Sequence, residues 1–151
     1  MRITFTPESL VHDGDHCPRY WQPVNPGAKW KPRHGIDDFV KETFTAGECG
    51  SLALVLHDLT GWPLYLEADY IEPSGYVPET YIAHVWVTAP KNHAVDILGV
   101  RKRNYCRTAY TTHVGKVIPA TATRMRSIFR RPHFHAWAKR IVTAFPEHFG
   151  L

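Results

Sequence analysis

The 151-residue chain is poor in sulfur and has no long apolar run. It carries three cysteines, Cys17, Cys49 and Cys106, and two methionines. Three is an odd count with no framework spacing, which argues against a disulfide scaffold and for a reduced, cytoplasmic setting. Nowhere do ~18 apolar residues follow one another, so no helix is expected to span a membrane. The stretch Met1-Arg2-Ile3-Thr4-Phe5-Thr6-Pro7 lacks the apolar centre of a secretory signal. No repeat or low-complexity tract is present. Acidic residues run out towards the C-terminus. Residues 1–96 hold 7 Lys and Arg against 13 Asp and Glu, a balance of −6, whereas residues 97–151 hold 11 against 1, a balance of +10.

What is present is enough for a core. The 44% hydrophobic and 13% aromatic content argues against disorder, and the length suits one domain over residues 1–151. The stretch Gly47 to Gly61 organises the rest. Leu52, Val55, Leu56 and Leu59 recur at i, i+3, i+4 and i+7, the apolar stripe of a core-facing helix. Gly61, then Trp62-Pro63, is a stop signal. Cys49 falls in the first turn of this helix. Unpaired backbone N–H groups and the positive end of the helix dipole favour its thiolate there, and its own N–H can hold an oxyanion. Gly50 and Ser51 are small, which would let a substrate approach. A buried cysteine acting as a small hydrophobe is the plainer reading of Cys49 alone.

Residues 12–33 read as an irregular loop rich in Pro, Gly, Asp and Trp. Within it, His12-Asp13-Gly14-Asp15-His16-Cys17 has metal-capable groups, but the spacing matches no zinc pattern, and no metal or cofactor is expected. Trp21 and Trp30 could line a peptide cleft. Ile36 to Phe44 reads as a helix, with Ile36, Phe39, Val40 and Phe44 on one side. Strands are expected over 63–71, 80–88 and 94–101, with Pro90-Lys91-Asn92 joining the last two as a hairpin. Register is decisive here. A loop of odd length puts His84 and Asp96 on one face; an even one separates them unless a bulge intervenes. A three-residue loop at 89–91 would set the two directly opposite.

Beyond Arg101-Lys102-Arg103 the chain is mixed up to Pro119. Thr123 is expected to cap a short helix bearing Met125, Ile128 and Phe129. Pro132 suits the first turn of a last helix, where Phe134, Trp137, Ala138, Ile141, Val142 and Phe145 fall at helical spacing and read as core. The expected class is α+β: a helix with an N-terminal cysteine packed on a small antiparallel sheet, then C-terminal helices.

Cys49 at a helix start, His84 in a strand and Asp96 in the next strand form a chemically sensible set. The thiol needs a base and later an acid, and His84 can serve as both. Asp96 would hold the imidazole tautomer and stabilise its cation. His57 and His93 are rivals for the base, but the first lies on the helix and the second at the turn. Asp is depleted in strands, which gives Asp96 a functional lean.

On these residues the chain resembles the papain-like cysteine enzymes, especially the transglutaminase-like and arylamine N-acetyltransferase-like branch. The gaps of 35 and 12 residues, His84-Val85-Trp86-Val87 as a His-x-Trp-x strand, and Asp96-Ile97-Leu98-Gly99 carry the resemblance, which covers residues 46–100. It implies attack of Cys49 on an acyl carbon, in a protease, deamidase, deconjugating enzyme or acyltransferase acting on a protein or peptide. Gln22 is the oxyanion candidate by analogy with the papain-like glutamine. Gly50 departs from the Trp that transglutaminases place after the cysteine. The small size suits a phage or bacterial protein, including an effector.

Two other readings stand beside this one. A binding module would use Arg101, Lys102, Arg103, Arg124, Arg126, Arg130 and Arg131 of the basic part, residues 101–151, for nucleic acid, a phosphorylated ligand or an acidic protein. Scattered surface arginines would look the same, and no nucleic-acid fingerprint is present. An inert papain-like domain that binds a partner is the third reading.

Overall fold

The computed structural model describes residues 35–106 and 115–151. The loop from residue 12 to 33, with Cys17, Trp21, Gln22, Trp30 and the His12–Cys17 group, lies outside the described residues. Among the described residues four α-helices and five strands make an α+β fold: α1 (Asp38–Ala46), α2 (Cys49–Thr60), β1 (Leu64–Ala68), β2 (Ile82–Ala89), β3 (His93–Asp96), β4 (Gly99–Arg101), β5 (Lys116–Ala120), α3 (Ala122–Ile128) and α4 (Pro132–Ala144). The strands form one antiparallel sheet in the order β4-β3-β2-β1-β5.

Local chemistry sets the helix ends. Asp37 caps α1 by accepting the Val40 N–H at 3.0 Å. Gly61 closes α2 in a left-handed conformation at φ 74°, and its N–H bonds the His57 carbonyl. The capping residue of α3 is Thr121, which accepts the Arg124 N–H at 3.2 Å, and not Thr123. Thr121 is the residue with extended backbone, and that brings its hydroxyl over the first turn.

One sheet face is apolar. Leu64, Leu66, Ala68, Val85, Val87, Val95 and Ile97 join Val40, Phe44, Leu52, Leu54, Leu56, Phe134 and Ile141 in one buried cluster. Fully burying a side chain such as Leu52 or Leu56 contributes ~1.5–3 kcal/mol. Helix α2 lies against β1, β2 and β3, and α4 lies against α2. The expected stripe of α4 is buried at Phe134, Trp137, Ala138, Ile141 and Val142. Leu59 is a miss: it is 52% exposed, because the last turn of α2 runs past the edge of the core. The other sheet face carries a smaller cluster of Trp86, Ala94 and Cys106, with Tyr65 and Tyr105 against it.

The segment expected as one strand over 94–101 is two. Gly99 sits at φ 98°, and Asp96 pairs with Gly99 across a turn at Ile97-Leu98. The basic part over 101–151 is not wholly helical either. It supplies β5, which pairs with β1 at the sheet edge, and Pro119 is tolerated on that edge strand.

A candidate Cys-His-Asp site

The β2–β3 hairpin brings His84 and Asp96 together. Its loop is Pro90–Asn92, three residues, with Ala89 opposite His93 and Thr88 opposite Ala94. Lys91 and Asn92 both take left-handed backbone, at φ 65° and 63°. The odd loop keeps the two side chains on one face, as the parity argument requires. The loop begins one residue later than direct opposition would need. Asp96 therefore lines up with Trp86, and His84 is its diagonal neighbour, a separation that a long side chain spans. The His84 Nε2–H donates to Asp96 Oδ2 at 2.9 Å. Asp96 Oδ1 accepts the Leu98 N–H at 2.9 Å, so the tight turn also aims the carboxylate.

The pair is deeply buried, with His84 at 0% and Asp96 at 4% exposure. Burial pulls the His84 pKa down, but the Asp96 carboxylate and the Cys106 and Cys49 thiols outweigh it. The imidazole ends well above its ordinary value. Burial pushes Asp96 up, yet the hydrogen bond and charge of His84 prevail, with help from the Leu98 N–H and Arg101, and its pKa falls. Both directions describe an imidazolium–carboxylate pair. With Nε2 committed to Asp96, the second ring nitrogen, Nδ1, is buried and has no hydrogen-bond partner among the described residues. A buried polar atom left so costs ~1–3 kcal/mol, which calls for a role.

Cys49 is the first residue of α2 and is buried. Its thiol is among the groups that raise the His84 pKa. The turn around it differs from the expectation. Gly50 does not leave room for a substrate: a Cβ there would lie 2.1 Å from the Phe129 ring, so the missing side chain admits Phe129 instead. The Ser51 hydroxyl donates to Glu48 Oε2 at 2.5 Å, and Arg131 donates to Glu48 Oε1 at 3.2 Å. The turn between α3 and α4 thus sits over the start of the cysteine helix. His135 holds that turn through the Phe129 carbonyl at 2.7 Å.

Cys106 is the residue that spacing did not single out. It is fully buried beside the pair; one ligand atom each from His84, Asp96 and Cys106 lie within 4.8 Å of one another. Burial and the nearby Asp96 charge push its thiol up to about 11, against the pull of His84. Two thiols, one from each apolar cluster, therefore act on one imidazole.

The rival histidines have other positions. His57 Nδ1–H donates to the Trp62 carbonyl at 2.7 Å and helps close α2. His93 is half-buried at the start of β3. Of the basic residues, four already face groups of this chain. Arg103 stacks over Tyr105, Arg124 stacks over Tyr76 and donates to the Val77 carbonyl, Arg126 pairs with Asp58, and Arg131 pairs with Glu48. Arg101 is half-buried, and Lys102 and Arg130 are exposed. A cleft of about 250 Å³ opens between β1, β5 and α3, lined by residues such as Tyr76, Ile118 and Arg124 but not by Cys49, His84 or Asp96. Among the described residues no helix is long and apolar enough to cross a membrane. No family model, curated protein or solved structure matches the chain.

Proposed function

We propose that the protein is a cysteine-dependent acyl hydrolase or acyltransferase in which Cys49 is the nucleophile, His84 the proton carrier and Asp96 its orienting partner. The observation that carries this is the His84 ring: Nε2 is tied to Asp96 and Nδ1 is buried and unpartnered among the described residues, and the Cys49 thiol is one of the groups that raise the ring's pKa. In the reaction, the Cys49 proton is held at His84 Nδ1 in the imidazolium, and the Cys49 thiolate bonds the acyl carbon. The carbonyl oxygen takes the displaced electron pair and is met by the Cys49 N–H. Collapse expels the leaving amine, which takes the proton from His84. Water or an acceptor amine then attacks the thioester and restores the thiol. Asp96 stabilises the imidazolium until it gives up its proton. A cysteine at a helix start followed by His and Asp on neighbouring antiparallel strands is also the order that the papain-like resemblance implies. The binding-module reading draws less support, because four of its seven cations already engage groups of this chain.

The test is the rate of iodoacetamide labelling of each cysteine against pH, read by mass spectrometry, in wild type and His84→Ala. Cys49 is expected to label fast well below the free-thiol pKa of ~8.5, and to lose that in the variant. Labelling of Cys49 only on unfolding would overturn the assignment.

A further inference from the structure

The acyl reading leaves Cys106 without a task, although it is buried against the same His84–Asp96 pair. We propose that His84, Asp96 and Cys106 form a binding site for a thiophilic divalent cation, Zn2+ being the type. The donors are one imidazole nitrogen, one carboxylate oxygen and one thiol sulfur, a set that suits zinc and not magnesium or calcium. Among the described residues this is the one group of three such side chains that comes this close.

Their spacing fits. Tetrahedral zinc, with bonds of ~2.0–2.1 Å to N and O and ~2.3 Å to S, separates its N and O ligands by ~3.3 Å and its S from either by ~3.6 Å. The His84 Nε2 and Asp96 Oδ2 atoms stand 2.9 Å apart and need to open slightly. The sulfur, within 4.8 Å of its partners, needs to close by no more than about an ångström. A second feature also points to a ligand. His84 Nδ1 is fully buried and unpartnered among the described residues, so the ring carries a polar atom that no described protein group satisfies. Three protein ligands leave a fourth position for water. The ligands come from β2, β3 and the segment after β4, separated by 12 and 10 residues, so no zinc spacing pattern records them.

Metal-free, reduced, full-length protein titrated with Co2+ tests this. Expected are near-ultraviolet thiolate-to-cobalt charge transfer and the visible bands of four-coordinate cobalt, saturating at one equivalent and displaced by Zn2+. Cys106→Ser should abolish the charge-transfer band and weaken binding by more than the ~10–100-fold that loss of an outer-sphere partner costs. Cys49→Ala should keep the band. If Cys106→Ser fails to fold, X-ray absorption on zinc-loaded Cys49→Ala replaces it, and one sulfur at ~2.3 Å is expected. Absence of the band in wild type, its survival in folded Cys106→Ser, or no sulfur around the zinc would each overturn the site. The two assignments fail separately. Cobalt binding that needs Cys106, with Cys49 labelled only on unfolding, keeps the metal site and discards the acyl reading; fast His84-dependent labelling without cobalt binding does the reverse.

Discussion

Asp96→Asn isolates what the buried pair contributes. The substitution keeps an oxygen for the Leu98 N–H and removes the charge that faces His84. In wild type the imidazole is raised well above 6.5 despite burial. Its contribution to stability is therefore complete below the unfolded value of ~6.5 and is lost as pH rises through the folded value. Asp96 behaves in mirror image: its pKa is lowered from 3.8, so its contribution is present above that value and is lost as pH falls through the folded one. The window of greatest effect runs between these limits, from above the carboxylate range up to the raised His84 value. Without the carboxylate, burial dominates and His84 folds neutral. The change exchanges a charge-assisted hydrogen bond worth ~1.5–3 kcal/mol for a neutral one worth ~1 kcal/mol, and adds the cost of removing a proton at low pH. A gap of about 2 kcal/mol is expected near pH 6, against a total of ~5–15 kcal/mol for a domain of this kind. With m of ~1–3 kcal/mol/M, the urea midpoint should fall by about 1 M. Urea unfolding at a series of pH values, with the His84 ring proton followed by NMR, measures both quantities. A gap of the same size at every pH, or a His84 that titrates in wild type at or below the free value, would refute the pair as described.

Other substitutions test the surrounding frame. Gly50→Ala should cost ~1–3 kcal/mol through overpacking against Phe129, and Phe129→Ala in the same chain should recover part of it, as thermal unfolding of the single and double variants would report. Gly99→Ala places a side chain at φ 98° with the His148 carbonyl 3.1 Å from its Cβ; a loss above ~1 kcal/mol is expected, with a shifted His84 titration because the turn aims Asp96. Arg126→Ala removes an ion pair whose two side chains are about half exposed, 49% and 50%, and should change stability by less than ~1 kcal/mol, less still in high salt.

Much of the site was legible because it depends on local rules. The apolar stripe and the glycine stop marked α2 within the stretch Gly47 to Gly61, with Cys49 in its first turn. Pleat parity made an odd hairpin loop the condition for His84 and Asp96 to share a face, and Pro90–Asn92 meets it. What escaped depends on contacts between distant parts of the chain. Cys106 meets His84 across 22 residues of sequence, with no periodicity to mark it. Strand β5 offers only a short run broken by Pro119 and is defined by its pairing with β1. Gly50 looked like an opening because a sequence shows that a side chain is missing and does not show what fills the space. The break at Ile97-Leu98 was hidden by apolar residues that suit a strand, and only Gly99 marked it.

The turn that covers Gly50 also orders events during synthesis. Cys49, His84 and Asp96 have all been translated before Phe129, Arg131 and the apolar stripe of α4. Yet α2 packs on α4, and its first turn is held by Arg131 through Glu48. A nascent chain that stops before these residues carries all three polar side chains without the frame that aligns them. The proposed nucleophile is thus framed by residues translated after it, so chains that stop before Phe129 are expected to be inert.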